Sequence, residues 1–219
     1  MTLDIQIQLP GVKLGIAEAQ NVRVEADHPD LTQLLDEVCA RKQKEFTVET
    51  LPESEPIRAI RGLFRSWGMD PSKYRPSSEA LLRRVVQGKG LYRVSNVVDV
   101  GNLVSIETGW PLGCYDRSRI QQPVLLRHGT TAESYEGIGK KTWNLEHRPV
   151  LADPGGPFGS PISDSTRSMI TDSATTVMIV MYIPEIAPDE TAHRALQRLC
   201  ERLRMFTGAL SADFVICRP

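Results

Sequence analysis

Hydrophobic and polar positions along the chain repeat with different periods in different segments, and the periods predict the elements. Residues 4–8, DIQIQ, alternate as a half-buried strand does. After Gly11 a second strand-like run, Val12 to Val24, predicts an N-terminal hairpin. From Pro29 and Asp30, the residues Leu31, Leu34, Leu35, Val38 and Cys39 recur on one helical face, and the charged run ARKQKEF reads as a solvated last turn. A second helix from Pro56 puts Ile57, Ile60, Phe64 and Trp67 on one side, with Gly68 as its stop.

Pro76 and the Ser77-Ser78 pair start a third helix, where a serine hydroxyl can accept from a first-turn amide and Glu79 suits the positive helix end. Gly88 and Gly90 end it. In a fourth helix, Asn96, Asp99, Asn102 and Ser105 recur every three residues against Val97, Val98, Val100, Leu103, Val104 and Ile106, which reads either as a polar, ligand-facing wall or as buried side chains that hydrogen-bond neighbouring loops. Trp110 to Asp116 reads as a turn out of that helix, and QPVLLRH (122–128) as a buried strand ending at His128. Residues 129–175 are rich in Gly, Ser, Thr, Pro and Asp and predict loops between short strands. Among them RPVLA (148–152) is a buried strand that delivers Asp153 into the turn PGGPFGSP. Thr175 to Ile183, apolar on both faces, predicts a central strand. Asp189 and Glu190 open a last helix with a core stripe of Ala192, Ala195, Leu196, Leu199, Leu203 and Phe206, and 213–217 add a final strand.

Composition narrows the class. With 41% hydrophobic and 24% charged residues, the 219-residue chain can bury a real core, and we expect one domain over 1–219. No apolar run approaches the roughly 18 residues of a membrane span, and MTLDIQIQLPGVKLG lacks the basic-then-apolar pattern of a secretion signal, so the expected compartment is the cytosol and no membrane partner is expected. Cys39, Cys114, Cys200 and Cys217 are widely spaced without a CxxC pair, which predicts reduced thiols; neither a metal nor a cofactor is expected.

The net charge of -1 hides a local excess. Between Ile57 and Arg93 stand Arg58, Arg61, Arg65, Lys73, Arg75, Arg83, Arg84, Lys89 and Arg93, against only Asp70 and Glu79. That concentration makes a candidate phosphate-facing surface, with Arg58, Arg61, Arg65, Lys73, Arg75, Arg83 and Arg84 as its contacts. A solvated helical face with scattered ion pairs is the competing reading. Past Asp153, the glycine-rich turn with Asp164, Thr166 and Arg167 can expose backbone amides to a carboxylate, phosphate or oxyanion as the roof of a substrate pocket, or be ordinary hairpin turns that use glycine for positive φ. Neither GxGxxG nor GxxxxGK[ST] occurs there.

The stretches DPSKYRPSSEALLRRV and NVVDVGNLVSIETGWPLGCYD (Asp70–Asp116), and more loosely RPVLAD (148–153) and TDSATTVMIV (171–180), resemble the B3/B4 editing module of the phenylalanyl-tRNA synthetase beta subunit, in particular free-standing relatives of it. The resemblance is to region 51–219, preceded by N-terminal strands and a helix in 1–50. It implies an α+β fold with a layered beta core of unusual topology flanked by helices. It also implies hydrolysis of an amino acid wrongly attached to tRNA. Two departures stand in the implied pocket. The family pattern PMHAFD reads PLGCYD here (111–116), so its histidine falls on Gly113, and its glycine pair past an LVIAD-like strand falls on Ser165 and Thr166.

The resulting expectation is an aminoacyl-tRNA editing-like protein that binds a tRNA acceptor end by the 58–93 basic face and the amino-acid moiety between 96–116 and 153–171. Asn96, Asp99 and Asn102 would position groups, Glu107 or Asp164 would recognise an ammonium, and Gly113, Asp153 and Thr166 would line the substrate site. An aminoacyl ester is already activated, so a placed water suffices and no covalent nucleophile is assigned. The alternatives are a noncatalytic amino-acid- or RNA-binding module on the same fold, and a small-molecule ester or amide hydrolase without tRNA.

Overall fold

The computed structural model describes residues 4–139 and 141–219. The first three residues, read above for a secretion signal, and Lys140 of the glycine-rich segment lie outside them. The strongest strand pattern becomes the structural axis. β9 (Thr176–Pro184) is buried along nearly its whole length and runs antiparallel between β2 (Val12–Gln20) and β3 (Leu112–Asp116). β10 (Ser211–Cys217) closes the far side on β2, giving the order β10-β2-β9-β3.

A second sheet has the order β1-β4-β7-β8, from β1 (Ile5–Ile7), β4 (Val124–His128), β7 (Pro149–Asp153) and β8 (Gly156–Gly159). β5 (Ser134–Glu136) and β6 (Thr142–Asn144) form a separate hairpin. The fold is thus a mixed α+β arrangement of layered sheets and helices. The expected N-terminal hairpin does not form. β1 pairs parallel with β4, while β2 enters the other sheet. Pro10 and Gly11, at φ 76, turn the chain from one sheet to the other. The second strand also ends earlier than expected, at Gln20, where Asn21 takes a positive φ.

Helices cover the β9 sheet. α5 (Asp189–Thr207) lays its Ala192–Leu196–Leu199–Leu203 stripe on β2, so closely that a Cβ on Gly15 would stand 2.8 Å from Leu196. α1 (Pro29–Glu45), α2 (Glu55–Ser66), α3 (Ser77–Val86) and α4 (Asn96–Thr108) complete the helical layer. α4 starts where the Ser95 side chain accepts from the Val98 amide and stops at Gly109, φ 74. Gly101 lets α4 settle on β3, since a Cβ there would meet the Cys114 sulfur at 2.5 Å. One hydrophobic core runs from Leu9 to Ala212, and a smaller cluster of Tyr135, Leu145 and Val150 sits under the β5–β6 hairpin. No helix among the described residues is long and apolar enough to cross a membrane.

The segment read as a turn, Trp110 to Asp116, is a strand from Leu112 onward. The apolar edge of β9 offers it a complete ladder, which outweighs the local Pro-Leu-Gly turn signal. This correction matters for the site, because strand geometry sets Gly113 and Tyr115 side by side on one face.

Candidate functional site

A cavity of about 460 Å³ opens between α3, α4, the first residue of β3 and the loop after β8. Arg75, Arg83, Arg84 and Lys89 supply its charge. Asn102 and Leu112 contribute from α4 and β3, and Ile162, Ser163 and Asp164 from the loop. Residues from the basic run, the polar helix and the glycine-rich segment therefore meet in one place, although they are far apart in sequence.

Asp164 is the carboxylate of this cavity. Its Oδ1 accepts from the Tyr115 hydroxyl at 2.7 Å and from the Ser160 amide at 3.3 Å. The carboxyl is packed round by protein while the residue keeps a part-exposed edge toward the cavity. Burial pushes its pKa up to about 7, and the hydrogen bonds from Tyr115 and from the Ser160 and Cys114 amides only partly offset that push. The loop is held from outside by the Tyr135 hydroxyl, which donates to the Ser163 carbonyl, and by the Ile138 amide on the Asp164 carbonyl at 2.9 Å.

Tyr115 explains Gly113. The tyrosine ring is fully buried, edge-on to Phe158 at 5.1 Å, and its hydroxyl lies over both Gly113 and Gly159. A Cβ on Gly113 would come within 2.0 Å of that oxygen and one on Gly159 within 2.2 Å. No side chain at position 113 is compatible with this tyrosine, so the space beside Gly113 is filled by Tyr115 rather than open. Tyr182, also fully buried, presents a hydroxyl with no partner in hydrogen-bond geometry, and burial, followed by the nearby Asp164 carboxyl, raises its pKa well above the usual tyrosine value.

The other expected site residues are placed elsewhere. Asn96 is 1% exposed and spent on backbone: it accepts from the Glu25 amide and donates to the carbonyls of Arg23 and Phe206. Asp99 accepts from the Val94 amide at 3.2 Å, and burial raises its pKa. Glu107 is clamped by both Arg202 nitrogens, at 2.5 and 2.9 Å, with Arg198 at 3.6 Å, beside a different cleft. A three-residue spacing on a 3.6-residue helix drifts round the axis, so Asn96 and Ser105 stand roughly half a turn apart and the four polar residues do not form one wall. Asn102 alone of them lines the cavity. Asp153 holds the turn after β7, accepting from the amides of Gly155 and Gln121 and pairing with Arg167 at 2.9 Å. Thr166 donates to the Glu136 carbonyl at 3.3 Å.

The basic run divides in the same way. Glu79 is fully buried, and its Oε1 takes Arg61 at 3.0 Å, Arg83 at 3.1 Å and Arg75 at 3.7 Å. It is therefore the anchor of an arginine cluster and not simply a first-turn acid. Arg58, Arg61 and Arg65 border a smaller cleft with Pro52 and Glu53. Lys73 lies over the Tyr74 ring, 5.3 Å from its centroid. Sequence reasoning missed Tyr115 and Tyr92 as site residues. The one available signal for Tyr115 was the alternation Gly113-Cys114-Tyr115, which a strand assignment would have exposed.

A model of the B3/4 domain matches residues 59–203. Over 147 residues the chain is 31% identical to the phenylalanine-tRNA ligase beta subunit of Streptomyces avermitilis, an alignment covering 65% of this chain and 17% of that protein. It is 25% identical over 164 residues to the corresponding subunit of Neisseria meningitidis serogroup B, covering 68% and 20%. The chain spans about a fifth of the length of these curated relatives. An N-terminal fragment of the phenylalanyl-tRNA synthetase beta subunit from Pyrococcus horikoshii aligns over 100% of this chain and 55% of that one, at 12% identity and a TM-score of 0.48. With its model matched over more than half of the sequence, the B3/4 domain family is the family to which this chain belongs.

Proposed function

We propose that this protein hydrolyses the ester of a mischarged aminoacyl-tRNA in the cavity between α3, α4 and the loop after β8. The observation that carries the reading is the meeting of one carboxyl poised near neutrality, Asp164, with four cations, Arg75, Arg83, Arg84 and Lys89, in a single cavity. The cations suit the phosphates of an RNA end. A carboxylate whose pKa is about 7 is matched to proton transfer at cellular pH. In this scheme Asp164 takes a proton from water as the water oxygen bonds to the ester carbonyl carbon. The Asn102 amide orients that carbonyl, and as the bond to the ribose oxygen breaks Asp164 returns the proton to that oxygen, giving free amino acid and uncharged tRNA with Asp164 restored. Relatives named as phenylalanine-tRNA ligase beta subunits support a tRNA context.

The test is release of amino acid from a panel of mischarged tRNAs. The wild-type protein deacylates at least one of them above background, and Asp164→Asn slows it by about 10²–10⁴-fold. A second reading, binding without hydrolysis, is favoured by one observation: the Tyr115 hydroxyl engages Asp164 and fills the space beside Gly113. That reading predicts tRNA binding with no release from any member of the panel.

A further inference from the structure

The cavity mouth carries an aromatic residue that the ester chemistry does not use. Tyr92 is 58% exposed, and among the described residues it is the one aromatic so exposed. The Arg84 guanidinium lies 3.9 Å from its ring centroid, and Nη1 donates to the Tyr92 hydroxyl at 3.3 Å. One face of the ring is thus covered by a cation, and its exposure leaves the other face to solvent. The loop that presents it is anchored. Gly88 and Gly90 take positive φ, and Leu91 buries its side chain in the core immediately before Tyr92. Tyr92 shares the cavity lining with Arg75, Arg83, Arg84 and Lys89.

We propose that Tyr92, backed by Arg84, is a stacking platform for an unpaired nucleobase whose phosphates lie on Arg75, Arg83 and Lys89. A nucleotide brings a flat π face and an anion joined at short distance, which is what an exposed aromatic among four cations can receive. Leaving an aromatic in water is unfavourable, and a base covering its open face removes that apolar area from solvent. The inference rests on the tRNA-directed reading above in taking a single-stranded RNA 3′ end, and not a free mononucleotide, as the source of the base.

The test uses an uncharged RNA hairpin with a single-stranded 3′ end and 2-aminopurine as its terminal base. Because this RNA carries no ester, its binding is independent of whether the protein hydrolyses anything. Wild-type protein and Tyr92→Trp bind it and quench the 2-aminopurine. Tyr92→Ala binds about 5- to 100-fold more weakly, without quenching. The salt dependence of binding keeps its slope in that variant, since no charge is lost. Circular dichroism of Tyr92→Ala matches wild type, as expected for an exposed side chain. The proposal is overturned if wild-type protein does not bind the RNA, or if Tyr92→Ala binds and quenches like wild type. Competition by AMP as effective as by the RNA overturns the assignment to an RNA end.

Discussion

Between Tyr115 and Asp164 a single hydrogen bond links the shape of the cavity to its buried acid. The tyrosine hydroxyl excludes any side chain from position 113 and at the same time stabilises the Asp164 carboxylate against the burial that raises its pKa. Gly113→Ala therefore overpacks, and we expect a loss of about 1–3 kcal/mol in urea denaturation. The Asp164 carboxyl also makes a signed prediction for stability. Its folded pKa of about 7 lies above its unfolded value of roughly 3.9, so folding favours the neutral acid. That contribution is complete below about pH 4 and is lost as pH rises through about 7. Asp164→Asn keeps a neutral group at every pH. Its denaturant midpoint should exceed that of wild type at pH 8 and converge with it toward pH 4; a gap that does not change with pH would rule out this origin. None of this was legible in the sequence, because it depends on a strand register: Gly113 and Tyr115 reach the same face only once Leu112–Asp116 pairs with β9.

At the scale of elements, α3 is where charge and burial conflict. Glu79 sits fully buried with Oε2 unpartnered, and only the arginines on Oε1 make that placement tolerable. Glu79→Gln leaves Arg61, Arg75 and Arg83 without their shared anion and should cost on the order of 2 kcal/mol or more, measured by thermal or urea unfolding. The same cluster determines which basic residues can test RNA binding cleanly. Arg83 is tied to Glu79, whereas Arg84 pairs with the exposed Tyr92 through its ring and hydroxyl, and Arg58 borders a separate cleft. We expect Arg84→Gln to weaken tRNA binding and lower its salt slope by about one, while Arg58→Gln leaves both unchanged. Equal effects from the two substitutions would place the RNA on the wider basic face instead. Helix starts and stops in this region were readable, since Pro56, Gly68, Pro76 and Gly88 act locally. The role of Glu79 was not, because a count of charges says nothing about which of them are buried.

At the scale of the whole molecule, the elements with the longest uninterrupted patterns were those read most fully. The all-apolar β9 and the α5 stripe form the middle of the structure, as their periodicity indicates. What escaped was pairing at a distance: β1 crosses to β4, and α3, α4 and the loop after β8 converge on one cavity, through contacts that no local pattern encodes. Of the expected substrate residues, Asn102 and Asp164 line that cavity, whereas Asn96, Asp99, Glu107 and Asp153 satisfy hydrogen bonds and ion pairs within the fold. The most direct test of the central claim is the pH-rate profile of single-turnover deacylation of a mischarged tRNA by wild-type protein and by Asp164→Asn. If Asp164 is the proton acceptor, the wild-type rate climbs with pH and levels off above about 7, and the variant loses both the rate and the inflection. A variant that retains the wild-type rate and the same inflection would contradict the account.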